Sequence, residues 1–272
     1  MGEAMIQGLL SKGLVKNESV VVGEPRQERR AELVKKHGIR ATADNLDAAR
    51  SGRILVFSVK PQDLGKVMAE LHGTLRPEQM VMSIVAGARV GTISESLGHN
   101  VVVRVMPNTP AQIGEGMSVW TATPDVSQKQ LAEARTILQA LGKELYMSDE
   151  KFLDMATAVS GTGPTYVFLV MEALIDAAVH LGFPRHIAYQ LVTETMRGSV
   201  LYAMKAGRHP AELRNLVTSP GGTSAAALYE LEKGSLRTIL SKAIWAAYER
   251  SKSLGEAKSS SVDMQKRVAS GN

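Results

Sequence analysis

The sequence predicts an α/β domain built on a parallel sheet, followed by an all-helical domain. Two observations carry this prediction. Short β-branched runs alternate with amphipathic helical segments in the first half, and from about Ser148 only helical patterns remain. With 272 residues the chain is long enough for two cores. We place the α/β domain at residues 1–148, the helical domain at 149–255 and a disordered tail at 256–272.

Five runs of the first half predict strands, each continuous and apolar enough to be buried in a parallel sheet. They are Ser19–Gly23, Ile54–Val59, Met80–Val85, Asn100–Met106 and Met117–Thr121. The segments between them carry helical periodicity, and the clearest are Arg26–Gly38, Gln62–Leu71 and Ser127–Leu141. This alternation indicates a sheet covered by helices on both faces.

In the second half, proline occurs at the start of helical segments and glycine just after their ends, as is typical of helix termini. Pro164 opens a helix over Thr165–Leu181, and Pro184 opens the next, which ends at about Ala206 before Gly207. Further helical runs span Ala225–Lys233 and Leu236–Leu254. The Ser/Lys-rich stretch that follows Gly255 is typical of disorder.

Composition excludes several classes of site. The chain has no cysteine, and its six histidines are scattered, so we expect no metal and a cytoplasmic location. A net charge of +5 without a basic block, and 4% aromatic residues, argue against nucleic acid. The first residues do not read as a signal peptide, and Glu172 and Asp176 interrupt the most apolar later stretch, so we expect no membrane span.

The first candidate site is the start of the chain. Gly2–Leu10 reads as the helix whose N-terminus would hold a diphosphate, and Glu24 follows about 20 residues later, where an acid can hold a ribose hydroxyl. Arg26, Arg29 and Arg30 come next and could hold a 2′-phosphate instead. Because the glycine fingerprint is incomplete, spacing alone favours an ordinary helix with a solvated basic face.

The loops that follow the predicted strands form the second candidate. In open α/β sheets, ligands bind at the carboxyl ends of strands. Lys60 is the one charge in those loops, although it fits a surface lysine beside a helix-starting proline equally well. Asn45 would be a plain helix N-cap.

A Gly-Gly turn in the helical half is the third and most informative candidate. Thr218–Ser224 precedes a helical run and would present backbone N–H groups to a small carboxylate. A tight turn between helices, with Ser or Thr as the cap, explains it equally well. The glycines of Ser160–Tyr166 favour close helix contact over a phosphate loop, with Ser160 as a neighbour of the site.

Seven segments in order resemble the pyrroline-5-carboxylate reductase family of proline biosynthesis. They are MGEAMIQGLL, FSVKPQ, SIVAG, RVMPNTP, AVSGTGPTYVF, VTSPGGTS and ELEKGSLR. The resemblance implies an oxidoreductase with a Rossmann-type dinucleotide-binding domain and a helical domain for dimerisation and substrate binding. It also implies NADPH or NADH as cofactor, the former by family habit, and an interlocked homodimer that assembles further, commonly into a decamer.

The resemblance also implies the site residues. The dinucleotide would lie on the first helix and the strand-end loops, with the nicotinamide bordered by the loops after the third and fourth predicted strands: Gly2, Glu3, Asn45, Val59, Lys60, Pro61, Ala86, Gly87, Met106, Pro107 and Asn108. Spacing along the chain adds Glu24 and Arg26 to these cofactor-binding candidates. The substrate carboxylate would be held, from the partner protomer, by Ser219, Gly221, Gly222, Thr223 and Ser224. Ser224, where the family usually has threonine, would be the catalytic hydroxyl that orients the ring nitrogen.

The reaction implied is hydride transfer to the C=N carbon of 1-pyrroline-5-carboxylate, giving L-proline. A protonated imine is already electrophilic, so few protein acids are needed. One alternative is a reductase of the same architecture acting on another imine or a 3-hydroxy acid. That group usually places a lysine on a helix of the second domain, and here no lysine follows Gly163 before Lys205.

The family begins with a strand and a Gly-rich turn, whereas this sequence begins at the methionine of that turn. Since that strand is central, its loss would leave backbone groups of its neighbours unpaired. We therefore expect about 15 further residues upstream in the full protein. The other alternative is an N-terminally truncated, inactive nucleotide-binding form.

Overall fold

The computed structural model describes the backbone of residues 1–269 and the side chains of residues 1–255. The strands are β1 Val21–Gly23, β2 Arg40–Thr42, β3 Ile54–Phe57, β4 Met80–Ser83, β5 Val102–Met106, β6 Gly116–Ala122 and β7 Gly142–Tyr146. The helices of the α/β part are α1 Gly2–Ser11, α2 Gln27–His37, α3 Asn45–Ser51, α4 Leu64–Leu71, α5 Val90–Leu97, α6 Gln128–Gln139 and α7 Lys151–Ala156. The later helices are α8 Gly163–His180, α9 Arg185–Ala206, α10 Pro210–Leu216, α11 Thr223–Lys233 and α12 Leu236–Ala269.

The predicted class, α/β followed by helical, is confirmed, but the strands form two sheets. β1 and β2 pair in parallel, and the other five strands form a sheet in the order β3-β4-β5-β6-β7. Three of its four strand pairs are parallel, as the sequence predicted, and β6 runs antiparallel to β5. The reason is the short connection at residues 107–115, because a parallel pair needs a crossover of a dozen or more residues.

Alternating side chains of the central strands pack on both faces of the five-stranded sheet. Val81 of β4 joins one buried cluster with α4 and α5, while its neighbours Met80 and Met82 join the other with α1 and α6. All four residues of β4 are buried. This explains why the strand reads as a continuous apolar run.

Two strands were absent from the sequence prediction for the same reason. β2 is only three residues long and carries an arginine, and β7 is an edge strand whose residues are largely exposed. Neither has the apolar run by which buried strands are recognised.

The chain packs as two compact units. One comprises residues 1–163 together with 246–272, and the other comprises residues 164–245. The functional boundaries proposed from the sequence, near residues 148 and 255, stay a prediction. α12 is described as far as Ala269, and residues 270–272 lie outside the described residues. The expectation of a disordered tail at residues 256–272 stays a prediction.

Candidate active site

The carboxyl ends of β3, β4 and β5 share one edge of the sheet, because these three strands are parallel. The N-terminus of α1 reaches this edge. A Cβ atom on Gly2 would lie 2.5 Å from the hydroxyl oxygen of Ser58 and 3.1 Å from its Cβ, so a larger residue would require the Ser58 side chain to move away from the helix. The first turn of a helix presents unpaired N–H groups and a partial positive charge, which suit a phosphate.

Glu3 lies in that first turn, and its carboxylate is bound by α2. It accepts hydrogen bonds from Lys36 Nζ at 2.8 Å and from Arg29, and it pairs with His37 Nε2 at 3.0 Å. These bonds, those from Lys36 and His37 foremost, lower the pKa of Glu3 from 4.5 to about 2. The side chain therefore ties α1 to α2, and any contact with a cofactor would come from the Glu3 backbone.

Glu24 and Arg26 follow β1 and form a local ion pair. The Glu24 carboxylate accepts hydrogen bonds from the Arg26 backbone N–H and Nε, both at 3.0 Å, and Arg26 thereby lowers the pKa of Glu24. Arg29 forms ion pairs with Glu3 and Glu32. The Arg26 side chain, by contrast, is 74% exposed, so it is the arginine best able to meet an added phosphate without giving up packing.

Asn45 stands at the same end of β1 and is not the N-cap that the sequence predicted. Asp44 caps α3 by accepting the Leu46 N–H at 2.8 Å, because its side chain sits one residue before the first helical turn. A Cβ atom on Gly23 would meet Asn45 Oδ1 at 2.8 Å, and Asn45 Nδ2 donates to Glu70 at 2.7 Å. Asn45 is thus placed beside the loop that carries Glu24.

The loop after β3 carries Val59, Lys60 and Pro61. Val59 packs against the core cluster of α4 and α5, whereas Lys60 and Pro61 are exposed. The exposed ammonium group of Lys60 is consistent with both interpretations of this residue, a ligand for an anion or an ordinary surface charge.

The loop after β4 carries Ala86 and Gly87 and is largely buried. Gly87 has a φ of 71°, a conformation that side-chain-bearing residues rarely adopt. A Cβ atom there would also lie 3.0 Å from Leu254 Cβ. Both constraints require glycine at this position, and the space that a side chain would take is occupied by α12.

The loop after β5 is fixed against the turn of π-helix at Thr157–Gly161. Asn108 Nδ2 donates to Ser160 O at 3.1 Å, and Asn108 Oδ1 accepts the Met117 N–H at 2.9 Å. A Cβ atom on Gly161 would lie 2.5 Å from Met106 Cε. The sequence predicted a close helix contact for this glycine, whereas the neighbour that it meets is the Met106 side chain of β5. Pro107, which lies between Met106 and Asn108 in the sequence, is buried.

The predicted carboxylate site lies in the second unit, at the start of α11. Gly221 has a φ of 69°, and Gly222 caps the helix without any side-chain hydrogen bond. The alternative that Ser or Thr caps this helix was wrong, since the capping residue is Gly222. A Cβ atom there would meet Ser219 Oγ at 2.5 Å, so a larger residue would require the Ser219 side chain to move. The cap leaves the hydroxyls of Thr223 and Ser224 without a capping role. The Ala225 N–H donates to Gly222 O at 3.1 Å, so the N–H groups of Thr223 and Ser224 are the ones left for a ligand.

One buried ion network was absent from the sequence prediction. Arg104 of β5, 3% exposed, donates to Glu150 at 2.8 Å and to Asp154 at 2.9 Å. Glu150 also accepts the Val90 N–H, and Asp154 accepts the hydroxyl of Ser251. Two features of the sequence could have indicated this network: Arg104 lies inside an apolar strand, and Glu150 and Asp154 are four residues apart, a spacing that places side chains on one helix face.

Two surface clefts among the described residues lie elsewhere. One is lined by Arg53 and Val101, which precede β3 and β5, and so lies toward the amino ends of the strands. The other borders Trp120 and Tyr146. Within residues 1–255, no group of three or more His, Asp or Glu side chains could hold a metal.

The parallel strands β3, β4 and β5 carry a helix N-terminus and glycine-containing loops at their carboxyl ends, and the chain continues into a helical unit. These features define a two-part nucleotide-binding protein. Two family signatures match it. Residues 1–87 match the family described as "NADP oxidoreductase coenzyme F420-dependent", and residues 150–254 match the family described as "Pyrroline-5-carboxylate reductase dimerisation".

Named relatives match almost the whole chain. A pyrroline-5-carboxylate reductase of Synechocystis is 40% identical over 94% of this chain and 95% of its own, and one of Arabidopsis thaliana is 35% identical over 94% and 93%. A solved pyrroline carboxylate reductase of Plasmodium falciparum with NADP bound has a TM-score of 0.87 at 33% identity, covering 94% of each chain. One of Coxiella burnetii has a TM-score of 0.84 at 33% identity, covering 93% of this chain and 94% of its own. The chain belongs to the pyrroline-5-carboxylate reductase family, as its sequence motifs predicted.

Proposed function

We propose that the protein reduces 1-pyrroline-5-carboxylate to L-proline, the last step of proline biosynthesis, with NADPH or NADH as the reductant. The observation that carries the proposal is the match to named reductases over almost the entire chain. The carboxyl edge of the sheet supports it, because Gly2, Gly87 and Asn108 stand there on three loops or helix ends that are individually fixed.

The residues of the first unit fit a nicotinamide dinucleotide. Its diphosphate would lie at the N-terminus of α1, where Gly2 has no side chain to keep the diphosphate from the backbone. Asn45 and the loop that carries Lys60 would border the remainder of the dinucleotide. Glu24 would face the ribose, and Arg26 would meet a 2′-phosphate, which favours NADPH. When bound, the reduced nicotinamide supplies the hydride; the loops at Ala86-Gly87 and Met106–Asn108 would hold its ring.

The turn before α11 would bind the substrate. Its first N–H groups and the hydroxyls of Ser219 and Thr223 would hold the carboxylate, and Ser224 would orient the ring nitrogen. The protein would thus position two rings and balance one charge, without a dedicated acid–base pair.

The second unit would form an interlocked homodimer, with the turn before α11 supplied to the partner's site, and the dimers would assemble further. Apolar side chains of α8 and α9 support this: Leu169 is 65% exposed, and Phe168 and Met204 are exposed as well. One continuous helical stretch, Lys151–His180, is long and apolar enough to cross a membrane. Because it contains Glu172 and Asp176 and lies in the dimerisation signature, we assign its apolar surface to a second copy in the cytoplasm.

A spectrophotometric assay tests the proposal. Oxidation of NADPH or NADH should require 1-pyrroline-5-carboxylate and should yield proline. Ser224→Ala should lower kcat about tenfold or more by removing one hydrogen bond to the reacting ring, with an unchanged thermal midpoint. The matched control is Ser51→Ala, an exposed serine at the end of α3. A wild-type protein that oxidises neither cofactor would refute the function, and unchanged kinetics in Ser224→Ala would remove that residue from the mechanism.

A further inference from the structure

The end of α12 touches the loop that would border the nicotinamide. A Cβ atom placed on Gly87 would lie 3.0 Å from Leu254 Cβ and 3.3 Å from the backbone nitrogen of Gly255. In the other direction, a Cβ atom on Gly255 would lie 3.4 Å from the carbonyl oxygen of Gly87 and 3.4 Å from Arg89 Nε. Two buried glycines therefore let a helix from the far end of the chain rest directly on the backbone of this loop.

The buried ion network holds the same loop and the same helix. Glu150 accepts the backbone N–H of Val90, the first residue of α5, at 2.8 Å, which fixes the end of the loop. Asp154, one turn further along α7, accepts the Ser251 hydroxyl of α12 at 3.2 Å. The Arg104 guanidinium bridges the two carboxylates, so loop and helix are anchored to one charged centre.

We propose that residues 251–255 of α12 are a clasp that positions the loop at residues 84–89 for hydride transfer, with Gly255 as its positioning residue. The clasp rests on the proposed function, since the loop matters to catalysis only if the nicotinamide ring lies against it. Gly255 touches neither ring and acts through the backbone of Gly87. Misplacing reacting atoms by about 1 Å can cost roughly 100-fold in rate, so a small displacement of this loop is enough to matter.

A graded substitution series at Gly255 tests the clasp. Gly255→Ala adds a Cβ at ordinary contact distance, 3.4 Å from the nearest atoms, and should leave turnover within about twofold of wild type. Gly255→Val adds methyl groups about 1.5 Å beyond that Cβ and should push the loop and helix apart. The matched control is Gly65→Val on α4, where a new Cβ meets nothing within 4 Å.

The expected result separates positioning from folding. Gly255→Val should lower kcat about tenfold or more while the KM for 1-pyrroline-5-carboxylate stays within about twofold, since the carboxylate is held by the other unit. Amide hydrogen exchange of residues 84–90 should rise in that variant alone, with thermal midpoints of all variants close together. Gly65→Val should match wild type in every measurement.

Two results would overturn the clasp. The first is a Gly255→Val protein with wild-type turnover and wild-type exchange at residues 84–90. The second is a loss of turnover that appears equally in Gly65→Val or simply follows a collapse of the thermal midpoint. If the wild-type protein does not reduce 1-pyrroline-5-carboxylate, the proposed function fails. The clasp is then decided by comparing Gly255→Val with wild type in amide exchange at residues 84–90 and in affinity for NADPH.

Discussion

Replacing Glu3 by glutamine should reveal how much the ion cluster between α1 and α2 stabilises the protein. The Glu3 carboxylate is 24% exposed and has Lys36, His37 and Arg29 as partners. Its pKa is lowered from 4.5 to about 2, and a difference of that size corresponds to an upper bound of about 3.4 kcal/mol. Because Lys36 is more than half exposed and water screens such pairs, we expect Glu3→Gln to lower the free energy of unfolding by about 1–2 kcal/mol at pH 7.

The pH dependence of that difference carries a definite sign. A carboxylate with a lowered folded-state pKa adds stability that is fully present above its unfolded pKa of 4.5 and is lost as the pH falls through about 2. The difference between wild type and Glu3→Gln should therefore be constant from pH 7 to about pH 5.5. It should fall to about three-quarters of that value at pH 4 and to about two-fifths at pH 3.

Urea unfolding of both proteins at pH 7, 5.5, 4 and 3, followed by circular dichroism, measures this difference. Glu18→Gln is the control, since it removes the same charge at an exposed position of the turn before β1. A difference that keeps its pH 7 value down to pH 3 would mean that Glu3 acts through packing and not through its charge. A difference at pH 7 equal to that of Glu18→Gln would refute the reasoning altogether.

Three further substitutions probe other contacts. Arg104→Met should lower the free energy of unfolding by about 3 kcal/mol, because Glu150 and Asp154 would lose their shared cation; a loss below about 1 kcal/mol in urea unfolding would contradict this. Ser127→Ala should cost about 1 kcal/mol through loss of the capping box with Gln130, and an unchanged thermal midpoint would show that the box contributes nothing. Arg26→Ala should raise the KM for NADPH about tenfold and leave that for NADH within about twofold, whereas equal changes for both cofactors would exclude a 2′-phosphate contact.

The sequence determined the elements that local patterns encode. β4 and β5 are buried on both faces, so their apolar runs stood out, and the Pro and Gly positions around α8 and α9 marked helix ends to within about two residues. The seven motifs identified the family, which the comparisons confirmed. The choice of site residues and their roles stays a prediction that the assays above will test.

Only the tertiary structure decided which partners those residues have. Glu3 was assigned to the cofactor, yet its carboxylate is bound by residues of α2 more than 25 positions away. The antiparallel β6, the Asp44 cap and the link from Arg104 through Asp154 to Ser251 likewise depend on groups that meet only after folding. Periodicity and capping report on neighbours within a turn or two, whereas the free energy of a buried charge or a bare glycine depends on atoms brought to it from elsewhere in the chain.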